Sequence, residues 1–138
     1  YKAWCDQYFR IPHRGECRGV GGIFFDDLEG DDPAVLHAFV ADCAASFLPA
    51  YMPLVTRHKD RPFTDAQRKW QLLRRGRYAE FNLVYDRGTL FGLRTAARIE
   101  SVLMSLPPLA RWDYVPVEER EPEAQRLLAV LREPRDWV

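Results

Sequence analysis

The sequence predicts an α+β fold, in which helices cover an antiparallel or mixed sheet. Three observations predict it. Segments of helical period alternate with two of strand character, Gly19–Phe25 and Tyr78–Tyr85. The helical segments carry their own start and stop signals. Two or three strands are fewer than an ordinary self-sufficient sheet needs, so the sheet is expected to be shared with polypeptide outside this chain.

Taken in order, Lys2–Phe9 is aromatic-rich and reads as the end of a helix, as though the chain began inside one. A preceding segment is therefore expected, and it could carry a targeting signal. Arg10–Arg18 reads as a loop punctuated by Pro12 and Gly15. Gly19–Phe25 reads as a strand, its glycines marking close approach of a ligand or of other backbone. Asp32 before Pro33 is a cap followed by a first turn. Leu36, Phe39, Val40, Cys43 and Phe47 then form one stripe expected to be buried. Pro49 and Pro53 are expected to kink or interrupt that helix.

Thr64 with Gln67 matches a capping box. The helix it opens puts Ala66, Trp70 and Leu73 on one face and is expected to stop at Gly76. Tyr78–Tyr85 alternates: Ala79, Phe81, Leu83 and Tyr85 against Tyr78, Glu80, Asn82 and Val84. Ile99, Val102, Leu103 and Leu106 return to a helical period, with Thr95 as the expected cap and Pro107-Pro108 as the stop. Arg111–Val115 reads as a short strand. Ala124, Leu127, Leu128 and Leu131 mark a last helix behind Pro122.

The 138 residues, 47% of them hydrophobic, suffice for one domain-sized core. No uninterrupted apolar run approaches the ~20 residues of a membrane span. Cys5, Cys17 and Cys43 are odd in number and lack C-x-x-C spacing, which weakens zinc and disulfide readings and suits a reducing compartment. A net charge of zero argues against nucleic acid or anionic lipid as the main partner. The 20 basic residues include only Lys2, Lys59 and Lys69 as lysines, leaving 17 arginines. Arginine's planar fork suits carboxylate recognition, although codon bias with ordinary surface charge is the better account of the count taken alone.

Three clusters carry candidate chemistry. His13, Arg14, Glu16 and Arg18 lead into Gly19-Val20-Gly21-Gly22, an arrangement that could hold an anion against thinned backbone or be a salt-bridged loop. It is neither a phosphate loop nor a dinucleotide fingerprint. Asp86 and Arg87 sit where the second strand runs into a glycine loop, with Arg94 and Arg98 following; a hairpin-closing turn is the plain alternative. Arg98 is expected in a first helical turn, where free N–H groups favour carboxylates. Arg74–Tyr78 suggests RNA binding, but at zero net charge a helix C-terminus complementing its dipole is the better reading.

These residues also carry a resemblance. Lys2-Ala3-Trp4-Cys5, Tyr8-Phe9, His13-Arg14, Glu16 and Arg18-Gly19-Val20-Gly21-Gly22-Ile23-Phe24-Phe25-Asp26 resemble the signature of oxygen-dependent coproporphyrinogen III oxidases. Gly76-Arg77-Tyr78, Glu80-Phe81-Asn82-Leu83 and Tyr85-Asp86-Arg87-Gly88-Thr89 resemble a second block of that family. Arg98-Ile99-Glu100-Ser101, Met104-Ser105-Leu106-Pro107, Arg111-Trp112 and Pro134-Arg135-Asp136-Trp137 match too. Arg10 departs from an aromatic position, and Ala96-Ala97 from a Gly-Gly or Gly-Ser pair.

The resemblance implies that residues 1–138 are the C-terminal half of a single oxidase domain. Its fold is a flat antiparallel sheet between helical layers, completed by an N-terminal half, in a homodimer. It implies oxidative decarboxylation of two propionates of coproporphyrinogen III to vinyl groups, in haem biosynthesis. The product is protoporphyrinogen IX; dioxygen is consumed, and carbon dioxide and hydrogen peroxide are released. No flavin, haem or nicotinamide is implied. Asp86 and Arg87 take the catalytic role, Asp86 accepting pyrrole N–H bonds or acting as base, while Arg18, Ala96, Ala97 and Arg98 bind substrate. His13 and Arg14 align with a dimerisation position, and His13 with a divalent metal in some members. Neither nucleic acid nor a membrane span is expected. The compartment is expected to be cytoplasmic, with mitochondrial as the alternative. The alternative function is a non-catalytic tetrapyrrole-binding or dimerising fragment.

Overall fold

A computed structural model describes residues 1–135, so Asp136 and Trp137 of the closing block lie outside the described residues. The chain divides into two compact units, one of Tyr1–Phe24 with Thr64–Val138 and one of Phe25–Phe63.

The first unit opens with α1 (Lys2–Tyr8). Arg10–Arg18, expected as a loop, contains a small antiparallel ribbon: β1 (Arg10–Ile11) pairs with β2 (Glu16–Cys17), Arg10 opposite Cys17 and Ile11 opposite Glu16. A 3₁₀ turn over Pro12–Arg14 joins them and closes at Gly15, whose φ of 65° is cheap only for glycine. This is the one sheet among the described residues. The architecture is thus helices with a two-stranded ribbon, an α+β assembly on a smaller scale than expected.

Neither long strand forms. Gly19–Phe25 is irregular because it lies against α1. A Cβ on Gly21 would sit 2.8 Å from Asp6 Oδ1 and 2.9 Å from Cys5 Sγ. The Phe24 amide donates to Tyr1 O at 3.3 Å. The glycines do mark close approach, but to a helix. Tyr78–Tyr85 belongs instead to α3 (Asp65–Val84), which starts at the expected capping box and runs through Gly76. Its C-terminal half buries Gly76, Arg77, Ala79, Phe81 and Asn82 on several sides. With Arg77 and Asn82 buried and Leu83 and Val84 exposed, the polar and apolar residues do not sort onto the faces that would reveal the 3.6-residue period. Gly76 is needed for a different reason: a Cβ there would meet Arg111 O at 2.4 Å. The Arg111 amide donates to Leu72 O at 3.1 Å, so Arg111–Val115 crosses α3 as an irregular segment and forms no strand.

Asp86 caps α4 (Arg87–Arg94), accepting from the Thr89 amide. Thr95 is the C-cap of α4, and Arg98 is the N-cap of α5 (Ile99–Leu103), which ends before Pro107-Pro108. The two helices pack through Gly92, where a Cβ would meet Val102 Cγ2 at 2.7 Å. Glu121 precedes α6 (Pro122–Arg132), which has Pro122 in its first turn as expected. Alpha6 lies on β2 and on a 3₁₀ turn, Val117–Arg120, that also touches α3. Cys17, Leu128 and Leu131 cluster with Trp70 and Leu127, while Ile11, Leu73 and Phe81 are fully enclosed. Each such large side chain stabilises the unit by roughly 1.5–3 kcal/mol.

The second unit is built on α2 (Pro33–His58), capped by Asp32 through the Ala34 amide. Pro49 and Pro53 lie inside it without interrupting it. The expected stripe is not buried: Leu36, Phe39 and Cys43 are half-covered, while Val40 and Phe47 are exposed. Phe39 meets Phe25 at 5.4 Å between ring centroids. Averaged over a window, α2 is long and apolar enough to cross a membrane, with mean hydropathy 1.5. The expectation of no such stretch rested on uninterrupted runs.

Candidate functional site

The sequence places Asp86 at the end of a half-polar strand; the structure places it at the N-terminus of α4. Its Oδ2 accepts from the Thr89 amide at 2.8 Å and the Thr89 hydroxyl at 2.9 Å, and its Oδ1 accepts from the Tyr8 hydroxyl at 3.2 Å. A carboxylate offers about four acceptor positions, so one stays open. The helix dipole stabilises the charge at this end. Tyr8 Oη also accepts from the Arg87 amide at 3.2 Å, and the Arg87 guanidinium lies 4.8 Å from the centre of the Tyr8 ring. Tyr8 therefore ties α1 to the Asp86-Arg87 corner. Trp4, Gln7, Tyr8, Tyr85 and Arg87 line an open recess beside it, about 770 Å³ counted out to solvent.

Arg18 is held on the inner side of this corner. Its guanidinium stacks 4.0 Å from the Phe9 ring centre and 4.6 Å from that of Tyr78, and it donates to Asn82 Oδ1 at 2.9 Å. Burial pulls its pKa below the ordinary value, against the opposing pull of Tyr78 and Asp86. Around it, Tyr8 stacks on Phe24 at 4.6 Å, and Phe9 meets Phe81 at 5.5 Å. Arg18 thus braces an aromatic wall.

His13 and Arg14 converge on Glu80, one turn before the end of α3. Arg14 grips the carboxylate with two bonds, Nε to Oε1 at 2.8 Å and Nη2 to Oε2 at 2.9 Å. His13 Nε2 lies 2.5 Å from Oε1, and the Trp112 indole donates to Oε2 at 3.1 Å. Partial burial alone would raise the Glu80 pKa. The bonds from Arg14 and His13, the Arg14 charge and the Trp112 bond outweigh it and lower the value to about 2. The other ring nitrogen of His13, Nδ1, is 2.6 Å from the Tyr85 hydroxyl. Below this hub, buried Glu16 pairs with Arg74 at 2.6 Å and Arg77 at 3.5 Å. Arg77 also reaches Glu119 at 3.7 Å. Arg74 and Arg77 thus face inward, and the basic stretch lies within α3 rather than at its end.

Ala96, Ala97 and Arg98 are not drawn into the corner. They form the exposed link between α4 and α5, and Ala96 takes a left-handed φ of 54°. The Arg98 side chain is 80% exposed and, among the described residues, pairs with Glu100 at 4.0 Å. His13, expected as a metal ligand, is hydrogen-bonded instead. Both ring nitrogens are engaged, and no group of three His, Cys, Asp or Glu suited to a metal occurs among the described residues.

The sequence reading placed Tyr85 in the Asp86-Arg87 cluster but missed Tyr8 and the Glu80 hub as parts of a site. Reading 65–84 as one helix would have put Arg77 and Glu80 on one face at i, i+3, the signal that the strand assignment hid.

Comparison with known proteins adds identity to this geometry. The family model described as Coproporphyrinogen III oxidase matches residues 1–137. "Oxygen-dependent coproporphyrinogen-III oxidase, chloroplastic" of Glycine max is 56% identical over 138 residues, which is 100% of this chain and 36% of that protein. The Drosophila melanogaster "Oxygen-dependent coproporphyrinogen-III oxidase" is 55% identical over 139 residues, 100% of this chain and 36% of the relative. The Homo sapiens protein of that name, "mitochondrial", is 55% identical over 139 residues, covering 100% and 31%. The chain thus spans about a third of the length of these relatives, less than the half that the resemblance implied. This chain belongs to the coproporphyrinogen III oxidase family.

Proposed function

We propose that this chain supplies the Asp86-Arg87 part of an oxygen-dependent coproporphyrinogen III oxidase acting in haem biosynthesis. Two propionates of coproporphyrinogen III become vinyl groups, with dioxygen consumed and carbon dioxide and hydrogen peroxide released. The observation that carries this reading is the family match over residues 1–137. The geometry supports it: an aromatic recess suits the face of a tetrapyrrole, and Asp86 keeps an acceptor position for a pyrrole N–H. Arg87, on the recess wall, is the propionate partner in this reading. Arg18 acts behind the wall, holding Phe9 and Tyr78, and Arg98 contributes only once further polypeptide covers it. The porphyrinogen is electron-rich enough to react with dioxygen, so the protein's part is position and electrostatics.

The test is protoporphyrinogen formation by the complete polypeptide under oxygen. Asp86→Asn is expected to lower kcat by about 10²-fold or more, the scale of a lost general base. An undiminished rate in Asp86→Asn removes Asp86 from the chemistry. The 138-residue chain alone is expected to be inactive, and turnover by it rejects the assignment of a partial site.

The flat sheet between helical layers and the homodimer belong to the same proposal. His13 and Arg14 would serve assembly indirectly, by fixing Glu80 and the turn that carries them. Sedimentation of the complete polypeptide with Arg14→Ala tests this, and an unaffected dimer rejects it. The soybean and human relatives are named chloroplastic and mitochondrial, so the cytoplasmic expectation gives way to the mitochondrial alternative. A tagged complete protein found diffusely in the cytosol rejects that alternative.

A further inference from the structure

One chain of polar groups at the recess has no part in the Asp86-Arg87 reading. Tyr85, on the recess wall, places its hydroxyl 2.6 Å from His13 Nδ1. His13 Nε2 is 2.5 Å from Glu80 Oε1. Glu80 is fixed by the Arg14 fork and the Trp112 indole. The three residues come from the end of α3, the 3₁₀ turn and the body of α3, so no single element brings them into line. The arrangement is that of a nucleophile or acid backed by an imidazole, itself oriented by a carboxylate.

The direction of the proton follows from the carboxylate. An ionised Glu80 can only accept, so Nε2 carries the hydrogen and Nδ1 presents its lone pair to Tyr85. The Tyr85 O–H therefore points to His13 Nδ1, leaving the oxygen's lone pairs able to accept. The His13 side chain is 46% exposed, which gives a proton on the imidazole a way out to solvent. The charges around the imidazole balance: Glu80, Glu16 and Glu119 on one side, Arg14, Arg77 and Arg74 on the other. Asp86, beside Tyr85 in sequence, accepts from Tyr8 and Thr89 and keeps one acceptor position, which serves a different ring N–H from the one Tyr85 meets.

We propose that Tyr85, His13 and Glu80 form a proton relay that takes a proton from the occupant of the recess and delivers it to solvent. This rests on the functional reading above for the identity of the occupant, whose ring N–H bonds are the source of the proton. In the step, Tyr85 Oη takes the proton of a substrate N–H as its own proton passes to His13 Nδ1. The N–H bond breaks, its electron pair stays on the substrate nitrogen, and the imidazolium returns the proton to water. No electron changes hands. Tyr85 is the group that touches substrate; His13 and Glu80 are positioning residues.

Two measurements on the complete polypeptide test the relay. Nitrogen-15 spectra of histidine-labelled protein, assigned with His13→Gln, are expected to show the Nε2–H tautomer at pH 8, with the Nδ1 shift moving in Tyr85→Phe. The Nδ1–H tautomer, or an imidazolium at that pH, overturns the relay whatever the protein catalyses. In turnover, Tyr85→Phe and His13→Gln are each expected to lower kcat about 10²-fold, with KM within about twofold, and to lose the acid limb of the pH profile. The double variant should be no slower than either single one. Unchanged kcat and an intact acid limb in Tyr85→Phe overturn the relay. Absence of any turnover by the wild-type protein defeats the oxidase reading instead, and leaves the tautomer to decide the relay.

Discussion

Glu80 shows how one residue's chemistry is set by its partners rather than by its exposure. Burial works against its charge, yet a bidentate arginine, an imidazole and an indole more than offset that and hold the pKa near 2, against an ordinary 4.5. Because the folded value is lowered, the native state binds fewer protons than the unfolded chain between the two values. The stabilisation is therefore complete above about pH 4.5 and drains away as the pH falls toward 2. Urea midpoints of the complete polypeptide between pH 5 and pH 3 should fall less steeply in Glu80→Gln than in the wild type. Parallel slopes would mean that the Arg14 fork does not operate in solution. Asp86 is the contrasting case. Its bonds run to one helix terminus and one tyrosine, so it joins α1 to α4 while keeping an open acceptor position.

At the scale of elements, α3 carries most of the site. It buries Leu73, Gly76, Arg77, Ala79, Phe81 and Asn82, and it presents Glu80 and Tyr85 to the turn that bears His13. The close crossing of Arg111 and Trp112 over it depends on Gly76. Alanine is the better helix former in isolation by roughly 0.5–1 kcal/mol. Here its methyl would meet a backbone oxygen that cannot swing aside. Gly76→Ala is therefore predicted to destabilise by about 1–3 kcal/mol, as overpacking does. It should also weaken the Trp112–Glu80 bond, visible as a change in indole fluorescence. A variant as stable as the wild type would show that the crossing segment is free to lift away.

For the molecule as a whole, the two units differ in how well they enclose their apolar surface. The first has closed clusters around Phe81 and Leu128. The second leaves Val35, Val40, Phe47, Leu48, Tyr51, Met52 and Leu54 exposed along a helix with no buried residue. Patches of this kind mark contact with other polypeptide or with lipid. The relatives are about three times as long as this chain, and the remainder is predicted to cover α2. Hydrogen exchange should be fast along Pro33–His58 in the 138-residue chain and slow in the complete polypeptide. Fast exchange in both, slowed only by lipid vesicles, would instead make α2 a membrane-contacting helix.

The sequence by itself determined whatever depends on neighbours in the chain. Asp32 and Thr64 cap the helices they were expected to cap, the alpha6 stripe is Leu127, Leu128 and Leu131, and the residues of the family blocks identify the family. Local hydrogen bonds and periodicity suffice for these. Tertiary structure alone decided what depends on residues far apart in the chain. Tyr78–Tyr85 alternates like a strand, yet it is the end of a helix and its C-cap, which buries polar Arg77 and Asn82 and exposes apolar Leu83 and Val84, so the period-2 pattern reports no face. Gly19–Phe25 and Gly76 look like a strand and a stop, yet both are places where another segment comes within a methyl's width. The convergence of His13, Arg14, Glu80, Tyr85 and Trp112 has no signature along the chain, because its geometry exists only once α3, the 3₁₀ turn and the crossing segment have packed together.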